Sequence, residues 1–295
     1  MLRAQFFPEP AAFAAVIAPL VAADPDGAAV LSGVLGHLTA APQRAPVPLM
    51  GAVLDEEIVL AAVLRSPGHP MAVVLRPEIR CGSGSAPGDP VDALVDALLT
   101  SGEAIVGFAG RRDSATRLAA GWQRRTGAAP IPSRRLMLHR LAALREPVGV
   151  PGLPRVAVLS DPADLDVLSR WWHAFGVEAA IGPAPEVPGV QMVLRGAARG
   201  DVVTLWCVQH RPVAAAGHAP VRNGACRIAP VYTPVEHRRH GYASAVTAAA
   251  VRSARSSGAA DITLFTDAEY LPSNALYSGL GFEPVAAFDE YALPG

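Results

Sequence analysis

A chain of 295 residues is long enough for two domains of ordinary size, each burying its own core. A hydrophobic fraction of 51% against 17% charged residues predicts a folded, soluble protein, and no apolar run approaches the ~20 residues that span a bilayer. The formal net charge of −1 leaves no global basic field to hold nucleic acid or an anionic membrane.

In chain order, Phe6 to Leu20 and Ala28 to Thr39 read as two Ala-rich helices parted by the turn Asp24-Pro-Asp-Gly27. The apolar runs Leu49 to Leu54 and Ile58 to Leu64, separated by Asp55-Glu-Glu57, predict a hairpin, and Met71 to Leu75 a third strand. After the stretch Arg80 to Pro90, Val91 to Leu99 has helical spacing. Glu103 to Phe108 reads as a strand, Ser114 to Thr126 as a helix and Arg135 to Leu144 as a strand. The Pro- and Gly-rich segment Arg145 to Arg155 propagates neither helix nor ladder, and the domains are expected to meet there, as 1–150 and 151–295.

The second half repeats the order. Leu153 to Leu159 is expected to open it as a strand. Asp161 to Phe175 is a helix with Leu165, Leu168, Trp172 and Phe175 on one face, and Val187 to Arg199 a poorer one. A hairpin follows, Val202 to Val208 and Val213 to Gly217. Next come a strand from Arg227 to Tyr232, a loop through Thr233-Pro234 and Arg238-Arg239-His240-Gly241, and a helix from Tyr242 to Arg255. A strand from Asp261 to Thr266, a short helix at Ser273 and a strand from Phe282 to Tyr291 close the chain. Strand, loop and helix start together present backbone N–H groups at the positive end of a helix dipole, an arrangement suited to a pyrophosphate.

Several chemistries are excluded by composition. All 25 basic residues are Arg, which removes a Walker-type phosphate lysine, a Schiff-base lysine and a lysine base. Cys81, Cys207 and Cys226 are far apart and fit neither a disulfide framework nor a metal knuckle. His237 and His240 lie on a loop with no third ligand, so no metal is expected. Gly82-Ser-Gly-Ser85 could cradle an anion but reads as a flexible loop. Trp171-Trp172 reads as core packing. The N-terminus lacks the basic start and cleavage site of a signal peptide, so the expected location is cytoplasmic.

Arg238-x-x-Gly241-x-Ala243 after a strand resembles the coenzyme A signature of the GNAT superfamily of N-acyltransferases, Q/R-x-x-G-x-G/A. Asn274, Tyr277 and Gly281-Phe282 follow in the order typical of that superfamily's closing elements, and the resemblance covers Asp161 to Tyr291. It implies an α/β (α+β) fold of two tandem GNAT-like domains, each a mixed central sheet flanked by helices. The first domain would be degenerate, because it lacks the signature and the Asn, Tyr and Gly-Phe set. The second would bind acetyl-coenzyme A: Val231, Tyr232 and Thr233 along the pantetheine arm, and the loop Arg239, His240, Gly241, Tyr242, Ala243 and Ser244 at the pyrophosphate. Arg238 and Arg239 would add charge, and Asn274 would either contact the cofactor or make only a helix bond. By resemblance Tyr277 is the general acid, with core packing as its alternative. The base is left open among Glu236, Asp267, Glu269 and His218, with Asp267 preferred, since Arg227 to Tyr232 contains no acid. The expected activity is acetyl transfer to the amine of a small or amino-acid-like acceptor, by a monomer or homodimer. The alternative is a coenzyme A- or partner-binding module without turnover.

Overall fold

The computed structural model describes residues 1–40, 48–66, 69–77, 88–179 and 188–294. Gly82 to Ser85, Cys81 and Val187 lie outside the described residues. The first run of elements is β1 (Leu2–Phe6), α1 (Pro10–Ala23), α2 (Ala29–Ala40), β2 (Leu49–Asp55), β3 (Ile58–Arg65), β4 (Met71–Leu75), α3 (Pro90–Thr100), β5 (Gly107–Arg111), α4 (Arg112–Thr126) and β6 (Ile131–Leu141). The second run is β7 (Leu153–Val156), α5 (Pro162–Glu178), α6 (Gly189–Arg199), β8 (Val202–Val208), β9 (Arg211–His218), β10 (Ala225–Tyr232), α7 (Tyr242–Ser256), β11 (Asp261–Asp267), α8 (Leu271–Gly279) and β12 (Phe282–Ala292), with a 3₁₀ turn at Val235–His237. Both runs have the order βααβββαβαβ.

Two compact units result, one of residues 1–137, 267–269 and 285–295, the other of residues 138–266 and 270–284. In the first, the strand order is β1-β2-β3-β4-β5-β12. All neighbours are antiparallel except β4 and β5, which pair in parallel. Phe13, Ile17 and Leu20 of α1 and Leu31 of α2 cover one face of this sheet, and Val91, Leu94, Val95 and Leu98 of α3 with Leu118 and Trp122 of α4 cover the other. In the second unit the order is β6-β11-β10-β9-β8-β7, with β10 and β11 parallel and β7, β8, β9 and β10 antiparallel in turn. Leu168, Trp171 and Trp172 of α5 and Val193 of α6 cover one face; α7, from Ala245 to Ala254, fills the other. Each unit is therefore a mixed sheet between helical layers. No helix among the described residues is long and apolar enough to cross a membrane.

Local chemistry sets the helix ends. Asp89 and Asp161 accept from the N–H of Val91 and Ala163, each at 2.9 Å, with a proline next in sequence, so α3 and α5 start where an acceptor and a fixed φ coincide. Gly127 and Gly200 end α4 and α6 in the left-handed conformation. Buried Asp164 takes the Arg155 guanidinium through both carboxylate oxygens and the Val158 N–H at 2.8 Å, which ties α5 to β7. The Arg155 bonds hold its carboxyl below the usual range despite burial.

Several boundaries differ from the sequence reading: β6 ends at Leu141 rather than Leu144, β7 at Val156 rather than Leu159, and α5 runs on to Glu178. Strand β1 has no counterpart in that reading: LRAQF carries no strong alternation, and it becomes a strand by pairing with β2, Phe6 opposite Gly51. A Cβ at Gly51 would lie 2.9 Å from the Phe6 ring, so glycine admits that ring. As a result α1 begins at Pro10 rather than Phe6. Strand β5 lies at Gly107–Arg111 rather than Glu103 to Phe108, because GFAGR has two residues of low strand preference. Those glycines are there for close approach. A Cβ at Gly110 would sit 2.6 Å from the Val73 carbonyl oxygen, and one at Gly107 2.2 Å from that of Tyr291. Strand β6 starts at Ile131 rather than Arg135.

Residues Phe288 to Ala292 pair with Arg111 to Gly107, so the end of the chain completes the sheet of the first unit. Arg112 binds Asp289 at 3.2 Å, and burial raises the Glu290 carboxyl against the opposing charge of Arg134. Phe288 is 1% exposed. Phe288→Ala should destabilise the protein by ~3–5 kcal/mol in urea unfolding and speed amide exchange at Gly107–Arg111. Unchanged stability would contradict this strand's role.

Candidate functional site

Strand β10 pairs with β11 only at Ala225–Asp261, Cys226–Ile262 and Arg227–Thr263. Beyond Arg227 it stays with β9, Val231 opposite Ala216 and Tyr232 opposite Ala215, but its register shifts between Ile228 and Val231. Pro230 sits in that shift. Proline has no N–H to give a ladder and is tolerated at a bulge. Gly217 on β9 leaves room for it, because a Cβ there would lie 2.7 Å from the Ala229 carbonyl oxygen. The shift also changes which face a side chain meets: Ile228 and Val231, three residues apart, both pack on the α7 side, and Tyr232 turns to the α5 side. The two strands thus form a fork, and among the described residues no strand lies beside the edge of Ile228 to Tyr232 that faces β11.

At the mouth of the fork, Tyr232 Oη donates to Glu178 Oε1 at 3.0 Å. Arg238 donates from Nη2 to Glu178 Oε2 at 2.6 Å and from Nε to the Thr233 carbonyl at 2.9 Å. The guanidinium also lies 5.9 Å from the Tyr232 ring centroid. Burial, together with the Glu178 carboxylate, raises the Tyr232 phenol, which stays protonated. Arg238 is therefore a strut of the loop. Arg239 and His240 are exposed, and Arg239 has φ +64°. His240 Nδ1 is 2.8 Å from the Arg238 carbonyl oxygen, so it carries a proton, and the ring stacks on Tyr242 at 5.4 Å. Gly241, with φ +80°, is the N-cap of α7, and its carbonyl accepts from Ala245 at 3.0 Å. Tyr242, Ala243 and Ser244 form the first turn, where α-helical N–H groups have no intrahelical acceptor and the helix dipole is positive. A side chain at Gly241 would be strained by its φ and would meet Val150 at 3.0 Å.

Helix α8 lies on the same side as α7. Tyr277 is half-buried against the cluster that α7 builds, edge-on to Phe282 at 6.0 Å. Burial pushes its phenol well above the usual range. Gly281, at φ +92°, is required by packing, since a Cβ there would lie 1.8 Å from the Ala143 carbonyl oxygen. Asn274 Oδ1 accepts from Thr266 Oγ1 at 2.6 Å, and His139 Nε2 is 3.0 Å from that same oxygen. Thr266 has one hydroxyl hydrogen, already given to Asn274, so His139 donates and carries its proton on Nε2. Its Nδ1 is buried without a hydrogen-bond partner among the described residues. Asn274 is thus part of a chain joining α8, β11 and β6, a role with no signal in the sequence.

The groups considered as bases are scattered. His218 is 1% exposed, with Nδ1 donating to the Ala219 carbonyl at 2.9 Å and Nε2 accepting from Ser253 at 3.0 Å, which makes it a satisfied core histidine. Glu236 is exposed on the 3₁₀ turn. Asp267 accepts from the Glu269 N–H at 2.8 Å, and Glu269 meets Arg135 at 3.3 Å. The sequence reading missed Glu178: it ends α5, 54 residues from Tyr232, and looks like any polar helix end. Trp171 and Trp172 are both core. Cys226 is buried, its thiol pushed by that burial up to about 11, and Cys207 is partly buried. No group of three or more metal-ligating side chains occurs among the described residues.

Burial lowers the His139 pKa, against the raising effect of its bond to Asn274. Below ~pH 6.5 the unfolded chain takes up this proton before the folded one does. The contribution of neutral His139 to stability is therefore whole above that pH and is lost as pH falls toward the lowered value, at no more than ~1.4 kcal/mol per pH unit. The stability difference between wild type and His139→Gln, from urea unfolding, should be larger at pH 7.5 than at pH 5.5. An equal difference would contradict the neutral assignment.

Residues 169–282 match the family model for the acetyltransferase (GNAT) family. No curated protein matches the chain. Among solved structures, a tandem GNAT protein from the clavulanic acid biosynthesis pathway aligns over 99% of each chain, with a TM-score of 0.63 at 13% identity. A GCN5-related N-acetyltransferase from Sphaerobacter thermophilus aligns over 100% of this chain and 96% of its own, at 0.59 and 18%. One from Kribbella flavida aligns over 92% and 96%, at 0.53 and 18%. At these identities the likeness is one of fold.

Proposed function

We propose that this chain, which carries a GNAT-family acetyltransferase domain at residues 169–282, is an acetyl-coenzyme A-dependent N-acetyltransferase acting on a small or amino-acid-like amine. The observation that carries the reading is the fork: β10 leaves β11 after Arg227 and delivers its open edge to the loop that starts α7. The residues present fit the cofactor. Val231, Tyr232 and Thr233 offer an unpaired strand edge to an amide-bearing arm. Thr233 Oγ1 at its end is buried without a hydrogen-bond partner among the described residues. Arg239, His240 and Gly241 are exposed, and with Tyr242, Ala243 and Ser244 they would hold a pyrophosphate by backbone N–H groups, as two left-handed residues and a helix N-terminus favour. Arg238, already engaged by Glu178, would support the loop, and Arg239 would add charge.

Bound there, acetyl-coenzyme A would supply an acyl thioester whose C–S bond breaks as the acceptor's N–C bond forms. Tyr277, packed on the α7 cluster and edge-on to Phe282, is proposed to give the proton that the departing thiolate takes up. Its Oη holds its hydrogen at neutral pH; burial makes it a weaker acid than a free phenol, so it would donate only as charge develops on the departing thiolate. Asn274, held by Thr266, would fix the start of α8 and hence the Tyr277 ring one turn on. The first unit is proposed to be non-catalytic. There β4 and β5 stay paired through Val73–Gly110, one residue short of the end of β5, and that last residue, Arg111, binds Asp24 at 3.1 Å. A coenzyme A-binding module without turnover is the second reading, favoured by the lack of any carboxylate on β10.

Coenzyme A at 100 times its dissociation constant should add ~2.7 kcal/mol to stability, and Gly241→Asp should abolish the shift by placing a side chain and a negative charge on the anion's approach. An equal shift in both proteins would remove the site. Tyr277→Phe should keep the coenzyme A shift and lower kcat by ~10²–10⁴-fold in a thiol-release assay. Full turnover in that variant would move the proton source to water.

A further inference from the structure

The loop ahead of α7 is anchored at Arg238. Its Nε donates to the Thr233 carbonyl at 2.9 Å, its Nη2 to Glu178 Oε2 at 2.6 Å and its backbone N–H to the Val235 carbonyl at 3.2 Å, while its own carbonyl lies 2.8 Å from His240 Nδ1. Glu178 is the last residue of α5, and its other carboxylate oxygen takes the Tyr232 hydroxyl at 3.0 Å. Tyr232 is 8% exposed and its ring packs 6.3 Å from that of Trp171 on the same helix. One carboxylate therefore ties the loop to α5 and to the end of β10 at once.

The residue that follows this anchor is strained. Arg239 has φ +64°, left-handed backbone that is unfavourable for any residue with a Cβ, whereas Gly241, at φ +80°, has none. Such strain persists only where its surroundings over-determine it, and Arg238, held at its N–H, guanidinium and carbonyl, is where they do. Left-handed residues in a turn point successive N–H groups to one side, as an anion requires. We infer that Glu178 is the positioning residue of the cofactor loop: by clamping Arg238 it holds the Arg239 turn, and with it the amides that meet the pyrophosphate, and it keeps the Arg238 guanidinium off that anion. This rests on the cofactor site proposed above and adds a residue of α5 to it.

Charge and geometry make opposite demands on Glu178. It is an exposed acid bound to the loop, so on Coulomb's law alone its removal would favour an anion and would release a guanidinium to meet it. Exposed charges are screened by salt, however, and a long side chain loses rotamer freedom when a ligand orders it. Backbone amides already fixed in direction bind without that loss, so the geometry that Glu178 maintains outweighs the charge that it brings. The strut also needs arginine. A planar guanidinium reaches the Thr233 carbonyl with one nitrogen and Glu178 with another, which a lysine ammonium on a flexible stem does not reproduce.

The test measures coenzyme A binding to the full chain by titration calorimetry, with urea unfolding of the free protein alongside. Glu178→Gln, Arg238→Gln and Arg238→Lys should each weaken binding by ~5–10-fold, and the variant carrying both Glu178→Gln and Arg238→Gln should bind no more weakly than Arg238→Gln alone, because the pair acts as one unit. Stability of the free protein should move little, as for other exposed ion pairs. In the thiol-release assay the loss should appear in the KM for acetyl-coenzyme A, with kcat kept. Equal or tighter binding by Glu178→Gln, a further loss in the double variant, or full binding by Arg238→Lys shows Arg238 acting as a free charge; any of these overturns this inference and leaves the cofactor site standing. Absence of coenzyme A binding by the wild type removes the cofactor site and this inference with it.

Discussion

The parting of two parallel strands after three residue pairs is the constraint on which the second unit depends. Parallel neighbours normally continue to the ends of the shorter strand, and five residues of β10 here forgo β11 altogether. Unpaired backbone in a sheet interior is costly. The sequence supports it with Pro230, which has no N–H to leave unsatisfied, with a register shift that re-aims Val231 and Tyr232, and with Gly217, which lets the shifted backbone come close. In the first unit the same strand pair stays together through Val73 and Gly110, and Gly110 brings the two backbones nearer still. Both parallel pairings cover three residue pairs, but only Val74 and Leu75 of β4 run beyond theirs, against five residues of β10.

Electrostatics at the fork divide by face and by depth. Glu178 binds Tyr232 and Arg238 and neutralises a cation that would otherwise face the loop, leaving Arg239 exposed beside the amides that begin α7. On the proposed reading, anion binding then relies on backbone N–H groups, whose direction is fixed, more than on mobile side chains. Deeper in, burial lowers the His139 pKa and raises that of the Tyr277 phenol, which favours the neutral form of both.

Much of this was legible in the sequence where the signal is local. The hairpin at Asp55 to Glu57, strand β4, the Asp-Pro starts of α3 and α5 and the loop from Thr233 to Ala243 follow from turn chemistry and periodicity acting over a few residues. What escaped depends on distant partners. Strand β1 exists because β2 pairs with it, and β5 is a glycine-rich strand because Val73 and Tyr291 approach its backbone. Glu178 gains its role from residues 54 and 60 positions away. His218, a catalytic candidate by residue type, is a core group by geometry, and Asn274 turns out to be a linker between strand and helix. A residue's type states what it can do; its partners decide which of those things it does.

Amide hydrogen exchange on the intact chain, with and without coenzyme A, tests the central claim most directly, because the claim concerns backbone groups. Protection should rise at Val231 to Thr233 and at Arg239 to Ser244, and stay unchanged at Met71–Leu75 and Gly107–Arg111. Protection gained in those first-unit strands, or at neither set of amides, would contradict the assignment of the cofactor to the fork.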